Sequence, residues 1–236
     1  MPDVSDNSHA PAYASSPLAA LKEGRLTRRL VQLYLGLVLY GASMALMIRA
    51  DLGLDPWDVF HQGLVVHTPF SFGTIVILVS LVVLLGWIPL RQLPGLGTLS
   101  NALIIGLVVD LVLGILSVPE SLAIRIVFLV AAVLLNAVAT AAYIGARLGP
   151  GPRDGLMTGL VRRTGGSVRL VRTGIEVVVL GIGWLLGGTV GIGTVVYALG
   201  IGPLVHVLLP RLTVPADLPA TPAPAAAAGT APPGAE

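Results

Sequence analysis

The sequence predicts an all-α, polytopic membrane helix bundle: six transmembrane helices as an inverted 3+3 repeat, with a short helix after the first span of each half. Three observations predict it. The 236 residues are 55% hydrophobic and only 11% charged, with a mean hydropathy of +0.89, whereas soluble domains carry about a quarter charged residues. Six long apolar stretches are separated by polar connections. Two motifs recur at a constant offset of 96 residues. So few charges exclude a soluble globule, and so much apolar surface excludes a disordered chain. The absence of Cys excludes disulfides, thiolate metal sites and Cys nucleophiles. The pI is near 9.3, but the net charge is only +2 and no basic patch is interleaved with aromatics. No nucleic-acid partner is expected.

Residues 1–25 are polar and rich in Ala, Ser and Pro, and read as a disordered cytoplasmic tail. The first apolar run begins only at Leu30, so no cleaved signal peptide is expected. Spans are expected at Leu30–Ile48, Phe72–Leu90, Thr98–Leu116, Ile126–Ile144, Thr173–Val190 and Thr194–Leu209, each near the roughly 20 apolar residues a bilayer core needs. The fifth is the most polar, with Glu176 inside it and Arg169 and Arg172 at its edge. Residues 213–236 are mostly Ala and Pro and form a second expected tail. With the N-terminus cytoplasmic, 12 of the Lys and Arg residues fall inside and only Arg49 and Arg125 outside. That bias places both termini in the cytoplasm.

The repeat divides the chain into halves at 26–118 and 119–212. ADLGLDPWD at 50–58 resembles ARLGPGPRD at 146–154, and GLGT at 95–98 resembles GIGT at 191–194. Gly63, Ser71 and Gly106 match Gly159, Ser167 and Gly202 at the same offset. Three crossings per half is an odd number, so the halves insert with opposite orientation. The charges agree: the first loop is acidic and the second carries Arg147, Arg153, Arg162 and Arg163. Many secondary transporters share this plan.

In each loop motif Gly53 or Gly149 suits a left-handed helix end, and Pro56 or Pro152 suits the first position of a new helix. Asp58 and Asp154 fall in its first turn, where the helix dipole favours a carboxylate. Two readings stand: an interfacial helix with Trp57 and Phe60 at the headgroups, or a re-entrant half-helix lining a central cavity. In G-x-G-T, Thr98 and Thr194 are expected helix caps, and bare amides there can hold an anion. The Lys of a phosphate-binding loop is missing.

Ionisable groups inside spans are functional candidates, because they are costly in lipid. Asp110 and His206 are equivalent under the repeat and are expected near the midplane, where they would pair, bind a cation or relay a proton. The alternative for Asp110 is a structural hydrogen bond to Asn101, Ser100 or a backbone carbonyl. Glu176 lies four residues after Arg172, the spacing of a helical ion pair. Asn136 and Tyr197 are expected to hydrogen-bond between helices. His61 and His67 read as solvated loop residues. No hydrolase or metalloprotease motif is present, so an enzyme is not expected, and neither is a cofactor or metal.

The ADLGLDPWDVF segment at 50–60, followed by PGLGT at 94–98 and Asn101, resembles the YczE group of bacterial membrane proteins, relatives of the YitT proteins. The likeness covers about residues 30–210. The second-half copy departs from it, with Arg147 for Asp51 and Arg153 for Trp57. The resemblance implies a multi-pass protein of the bacterial inner (plasma) membrane. It brings no substrate, because that group is largely uncharacterised. The function expected from the residues is secondary transport of a small solute or ion, held near the midplane between the repeats. The competing expectation is a non-transporting scaffold or regulator that binds a partner. The expected partners are the lipid bilayer and the solute, with self-association open.

Overall fold

A computed structural model describes residues 17–22 and 24–215. The expected tails, 1–25 and 213–236, therefore lie largely outside the described residues; of the first, α1 (Pro17–Lys22) is a short helix. Among the described residues the architecture is wholly helical.

The centre is a pair of long helices, α2 (Leu26–Ala50) and α7 (Leu122–Gly145). At 1.5 Å per residue the 25 residues of α2 extend about 37 Å, enough to cross a bilayer. The pair is antiparallel. Arg29 at the start of α2 donates to the carbonyls of Ala146 and Arg147, just past the end of α7. Midway, Asn136 Nδ2 donates to Ser43 Oγ. Arg125 at the start of α7 donates to the carbonyls of Ala50 and Asp51, at the end of α2. The two arginines are 96 residues apart, and so are the carbonyls they hold.

α6 (Leu96–Ile115) packs on α2, and α10 (Ile192–Leu212) packs on α7. α6 begins at the Arg29 end, where Gly97 N donates to Leu148 O, and runs toward the Arg125 end, where Arg49 donates to Leu113 O. α10 runs the other way, from Gly193 N on Leu52 O to Leu212 O, which accepts from Gln32. α4 (Phe72–Leu85) bends at Gly86 into α5 (Trp87–Leu90) and packs along α6. Its repeat counterpart, α9 (Val168–Leu185), has no comparable packing along α10.

The two short helices cross over. α3 (Pro56–Val66), from the first half, lies on α9; His67 Nε2 bonds Leu186 O, and Gln62 accepts from Thr189 N. α8 (Pro152–Thr164), from the second half, lies on α4 and α5; the Trp87 indole donates to Pro152 O and Arg163 to Pro89 O.

Five helices are long and apolar enough to cross a membrane: Leu26–Ala50, Phe72–Leu90, Leu96–Ile115, Leu122–Gly145 and Ile192–Leu212. Their outer faces expose large apolar side chains such as Val82, Leu107, Leu111, Val127 and Leu199, a surface that hydrocarbon covers and water does not. The expected fifth span, Thr173–Val190, is not among these five, and the helix in its place is shifted and more charged. Ser167 caps the N-terminus by accepting from Leu170 N, so α9 starts at Val168 and takes in Arg169, Arg172 and Glu176. It ends at Leu185, before Gly187 in left-handed backbone.

Candidate functional site

The site is built by the two loop motifs. Gly53 and Gly149 take φ of +112° and +124°, a conformation open to Gly and strained for other residues. Each also lies against the G-x-G-T of the opposite half: a Cβ on Gly53 would stand 2.6 Å from Gly191 N, and one on Gly149 2.8 Å from Thr98 Oγ1. Thr98 accepts from Gly95 N and donates to Pro150 O, while Thr194 accepts from Gly191 N. Both threonines are buried, but the N-cap expectation is corrected: Gly95 and Gly191 are the N-cap residues, and Thr98 and Thr194, three residues on, reach back to cap them. They dock each loop so that it turns back into the molecule, and α3 and α8 begin near its middle from opposite ends.

There the first turns of α3 and α8 meet. Asp55 caps α3, its Oδ1 accepting from Trp57 N at 2.9 Å and Asp58 N at 3.2 Å. Asp58 is fully buried; its Oδ1 lies 3.0 Å from His61 Nδ1 and 3.9 Å from Arg153 Nη2. The Arg153 guanidinium sits 4.9 Å over the Trp57 ring, within cation–π range. Trp57 and Arg153 are repeat equivalents, as are Asp58 and Asp154. Asp154 Oδ2 accepts from the Tyr143 hydroxyl at 2.5 Å.

A cavity lies on each side of Tyr40, Arg153 and Asp154. One, of about 50 Å³, is walled by Val76, Ser80, Asn101 and Tyr143 and faces the start of α8. The other, of about 100 Å³, is walled by Arg172, Glu176 and Tyr197 and faces Asp55 and Trp57 at the start of α3. Val76, Ser80 and Asn101 are the repeat counterparts of Arg172, Glu176 and Tyr197. The two cavities are thus walled in part by equivalent positions of the sequence repeat that carry different chemistry. Tyr40, Ser80 and Glu176 each stand about halfway along their helices.

Burial sets the electrostatics. It pushes the carboxyl of Asp58 up, with Arg153 opposing. Burial, then the neighbouring Asp58, pushes Asp55 up. Burial drives the His61 imidazole down, and Arg153 adds to this. The neutral forms of these groups are favoured, because a charge in low dielectric loses its hydration.

Of the residues singled out in the sequence, Asp58, Asp154, Trp57, Asn101 and Glu176 border this centre. Glu176 pairs with Arg172 at 2.9 Å, and Tyr197 donates to Asn136, as expected. Asp110 and His206 are not brought together there, and neither borders the cavities. Asp110 accepts from Ser71 Oγ at 2.5 Å and Gly73 N at 2.7 Å, capping α4 toward the Arg125 end. His206 is exposed on α10, between the cavity and Leu212 at the Arg29 end. Because α6 and α10 run antiparallel, equal distances past Thr98 and Thr194 lead toward opposite ends. Asp110→Ala is expected to lower stability by about 0.5–2 kcal/mol, the range for a lost cap, read as an earlier unfolding midpoint in detergent.

Sequence reasoning missed Asp55, Arg153, Tyr40, Tyr143 and His61. The solvated-loop reading of His61 is corrected: it lies on α3, fully buried, with the Phe72 ring edge-on at 5.9 Å. A signal was present, since Asp55, Asp58 and His61 recur every three residues and share one helical face.

Residues 27–210 match a family model described as a family of unknown function, DUF6198. A Haemophilus influenzae protein, itself uncharacterised, is 40% identical over 177 residues, covering 75% of this chain and 81% of its own. The uncharacterised membrane protein YczE of Bacillus subtilis is 32% identical over 181 residues, covering 75% and 84%. The Bacillus subtilis protein YyaS is 26% identical over 180 residues, covering 75% and 90%. No solved structure matches the chain significantly.

Proposed function

Since the chain belongs to DUF6198, a YczE-type family of membrane proteins, we propose its function from its centre: a secondary transporter that holds a small solute or ion between two inverted halves. The observation that carries this is the meeting of α3 and α8. They enter from opposite ends, their first turns are joined by Arg153 on Trp57 and Asp58, and they border two cavities lined in part by repeat-related residues. Irregular backbone at membrane depth persists only against protein or a water-filled cavity, and paired half-helices at the centre of inverted repeats are a transporter plan. The antiparallel pairing of α2 with α7 supports the inversion. Here α9 is the sixth crossing: its Arg172 and Glu176 neutralise each other, and Val177, Val178, Ile182 and Trp184 face outward for lipid to cover.

The membrane is the bacterial inner membrane, with both termini cytoplasmic. The Arg29 end, which also holds Arg147 and Arg163, is the cytoplasmic one. Reporter fusions after residues 66, 120 and 190 are expected to read external, and those after 94, 160 and 215 cytoplasmic. An external signal at 160 removes the inverted plan. For the function, purified protein in liposomes is screened for thermal stabilisation by small solutes. A ligand at 100 times its Kd adds about 2.7 kcal/mol. A non-transporting scaffold responds to no small solute.

A further inference from the structure

We propose that the buried Asp58–His61 pair is a proton site and Arg153 its switch, so that the central cavity takes up a small carboxylate anion together with one proton. This deepens the transport reading and rests on it.

The pair is sealed. The side chains of Asp58 and His61 are 0% and 1% exposed, and Asp58 Oδ2 and His61 Nε2 have no hydrogen-bond partner. Unsatisfied atoms at that depth are costly, and both are positions where a proton can be held. Asp58 is held in the first turn of α3, whereas Arg153 reaches across from α8: its side chain is 24% exposed and borders both cavities. What draws its guanidinium toward α3 is the Trp57 face and the Asp58 carboxylate at 3.9 Å. One proton on the pair, on whichever atom it rests, cancels the negative charge and releases Arg153 toward the cavity.

Of the other charges nearby, Asp55 also acts on Arg153 and interacts with Asp58, so it titrates with the pair. Asp55 is held on the amides of Trp57 and Asp58. Asp154, from α8, is engaged by Tyr143. Arg172 and Glu176, from α9, are paired with each other. At the cavity α2 and α10 contribute Tyr40 and Tyr197, and against His61 α4 contributes the uncharged Phe72.

The repeat points to a carboxylate as the ligand. At the start of α3 the Asp55 carboxylate is seated on two amides. At the start of α8 the equivalent amides belong to Arg153 and Asp154, and Gly151 stands where Asp55 would be, offering no side-chain cap. The smaller cavity opens there. A Cβ on Gly151 would be 3.2 Å from Tyr143 Oη and 3.4 Å from Asn101 Nδ2. A solute carboxylate seated there completes α8 as Asp55 completes α3, with Asn101 as a further donor. The opposing charge is Asp154, whose Oδ2 is 3.1 Å from the same point. The anion therefore needs the freed Arg153 beside it, and this is what couples it to the proton.

The test uses the full chain in liposomes, with acetate, lactate and malonate as anionic probes and choline and guanidinium as cationic ones. Thermal stabilisation is titrated between pH 5.5 and 8.5. Carboxylate affinity is expected to fall as pH rises, by up to about tenfold per unit for one linked proton. Asp58→Asn, which carries no negative charge at any pH, should flatten the pH dependence of carboxylate binding, leaving only the part that Asp55 carries. His61→Gln should shift the pH profile, which gives a second reading if Asp58→Asn does not fold. Arg153→Gln should lose carboxylate binding, with Arg153→Lys retaining part. Carboxylate binding that ignores pH, or that survives Arg153→Gln, overturns the proposal. Binding of choline or guanidinium alone overturns the anion and leaves the transport reading standing. No response to either probe class, in a protein that also fails the wider solute screen, overturns both.

Discussion

Replacing Gly73 by alanine is expected to leave little folded protein, whereas Gly202, the repeat counterpart of its partner Gly106, tolerates alanine. At the crossing of α4 and α6, Gly73 and Gly106 face each other backbone to backbone. A Cβ on Gly73 would land on the Gly106 carbonyl oxygen and stand 2.6 Å from Asp110 Cγ. Neither neighbour can yield: one is helix backbone, and the other is held by Ser71 and Gly73 itself. Overpacking a tight site costs about 1–3 kcal/mol or more, and here the Asp110 cap is lost as well. In the second half Arg169 takes the place of Gly73, and Gly202, the counterpart of Gly106, has nothing within 4 Å of a built Cβ. Gly202→Ala is therefore expected to be neutral, or to gain up to about 1 kcal/mol of helix propensity. Monodisperse yield and unfolding midpoint in detergent compare the two. The same substitution explains why α9 does not follow α10 as α4 follows α6: a long charged side chain stands where the close crossing needs a glycine.

Arg29→Met should be the most costly charge removal in the helix frame. Arg29 is 1% exposed and donates to the carbonyls of Ala20 at 2.5 Å and of Ala146 and Arg147 at 2.8 Å. Methionine roughly keeps the volume and gives up those charged hydrogen bonds. The carbonyls just past the end of α7, where the helix dipole is negative, lose a buried cation. Each hydrogen bond to a charged group contributes about 1.5–3 kcal/mol, so losing three of them should cost about 4–5 kcal/mol or more. Arg125→Met removes the matching arginine, which holds Ala50 and Asp51 but is 24% exposed. Solvent can replace it, so its cost should be about 1–2 kcal/mol. Chemical unfolding in detergent reads both variants. Equal losses below 1 kcal/mol would remove the two arginines from the account of how the central pair is held.

The 96-residue repeat is a property of the chain read as a line and was legible there, and the structure adds contacts that obey it. Gly53 on Gly191 and Gly149 on Gly95, and the paired Thr98 and Thr194 caps, all follow its register. Arg29 and Arg125 obey the same offset, yet they read in the sequence only as flanking charges, because their role appears only when α2 and α7 lie antiparallel. Glu176 with Arg172 was legible for a different reason: four residues on one helix face are a local distance.

What the sequence determined by itself was therefore what depends on chain-local chemistry: apolar helices of membrane length, the charge bias along them, the caps that end them and the repeat. Which distant groups share a site was decided by the tertiary structure. Asp58 and Arg153 lie 95 residues apart and meet only because α3 and α8 enter from opposite ends. His61 is buried only because Phe72 and α9 cover α3. Asp110 and His206 occupy equal positions in the repeat, yet one caps α4 and the other faces outward. The repeat says that two positions are alike, but their environment depends on how α4 and α9 pack, and Arg169 in place of Gly73 makes those packings differ.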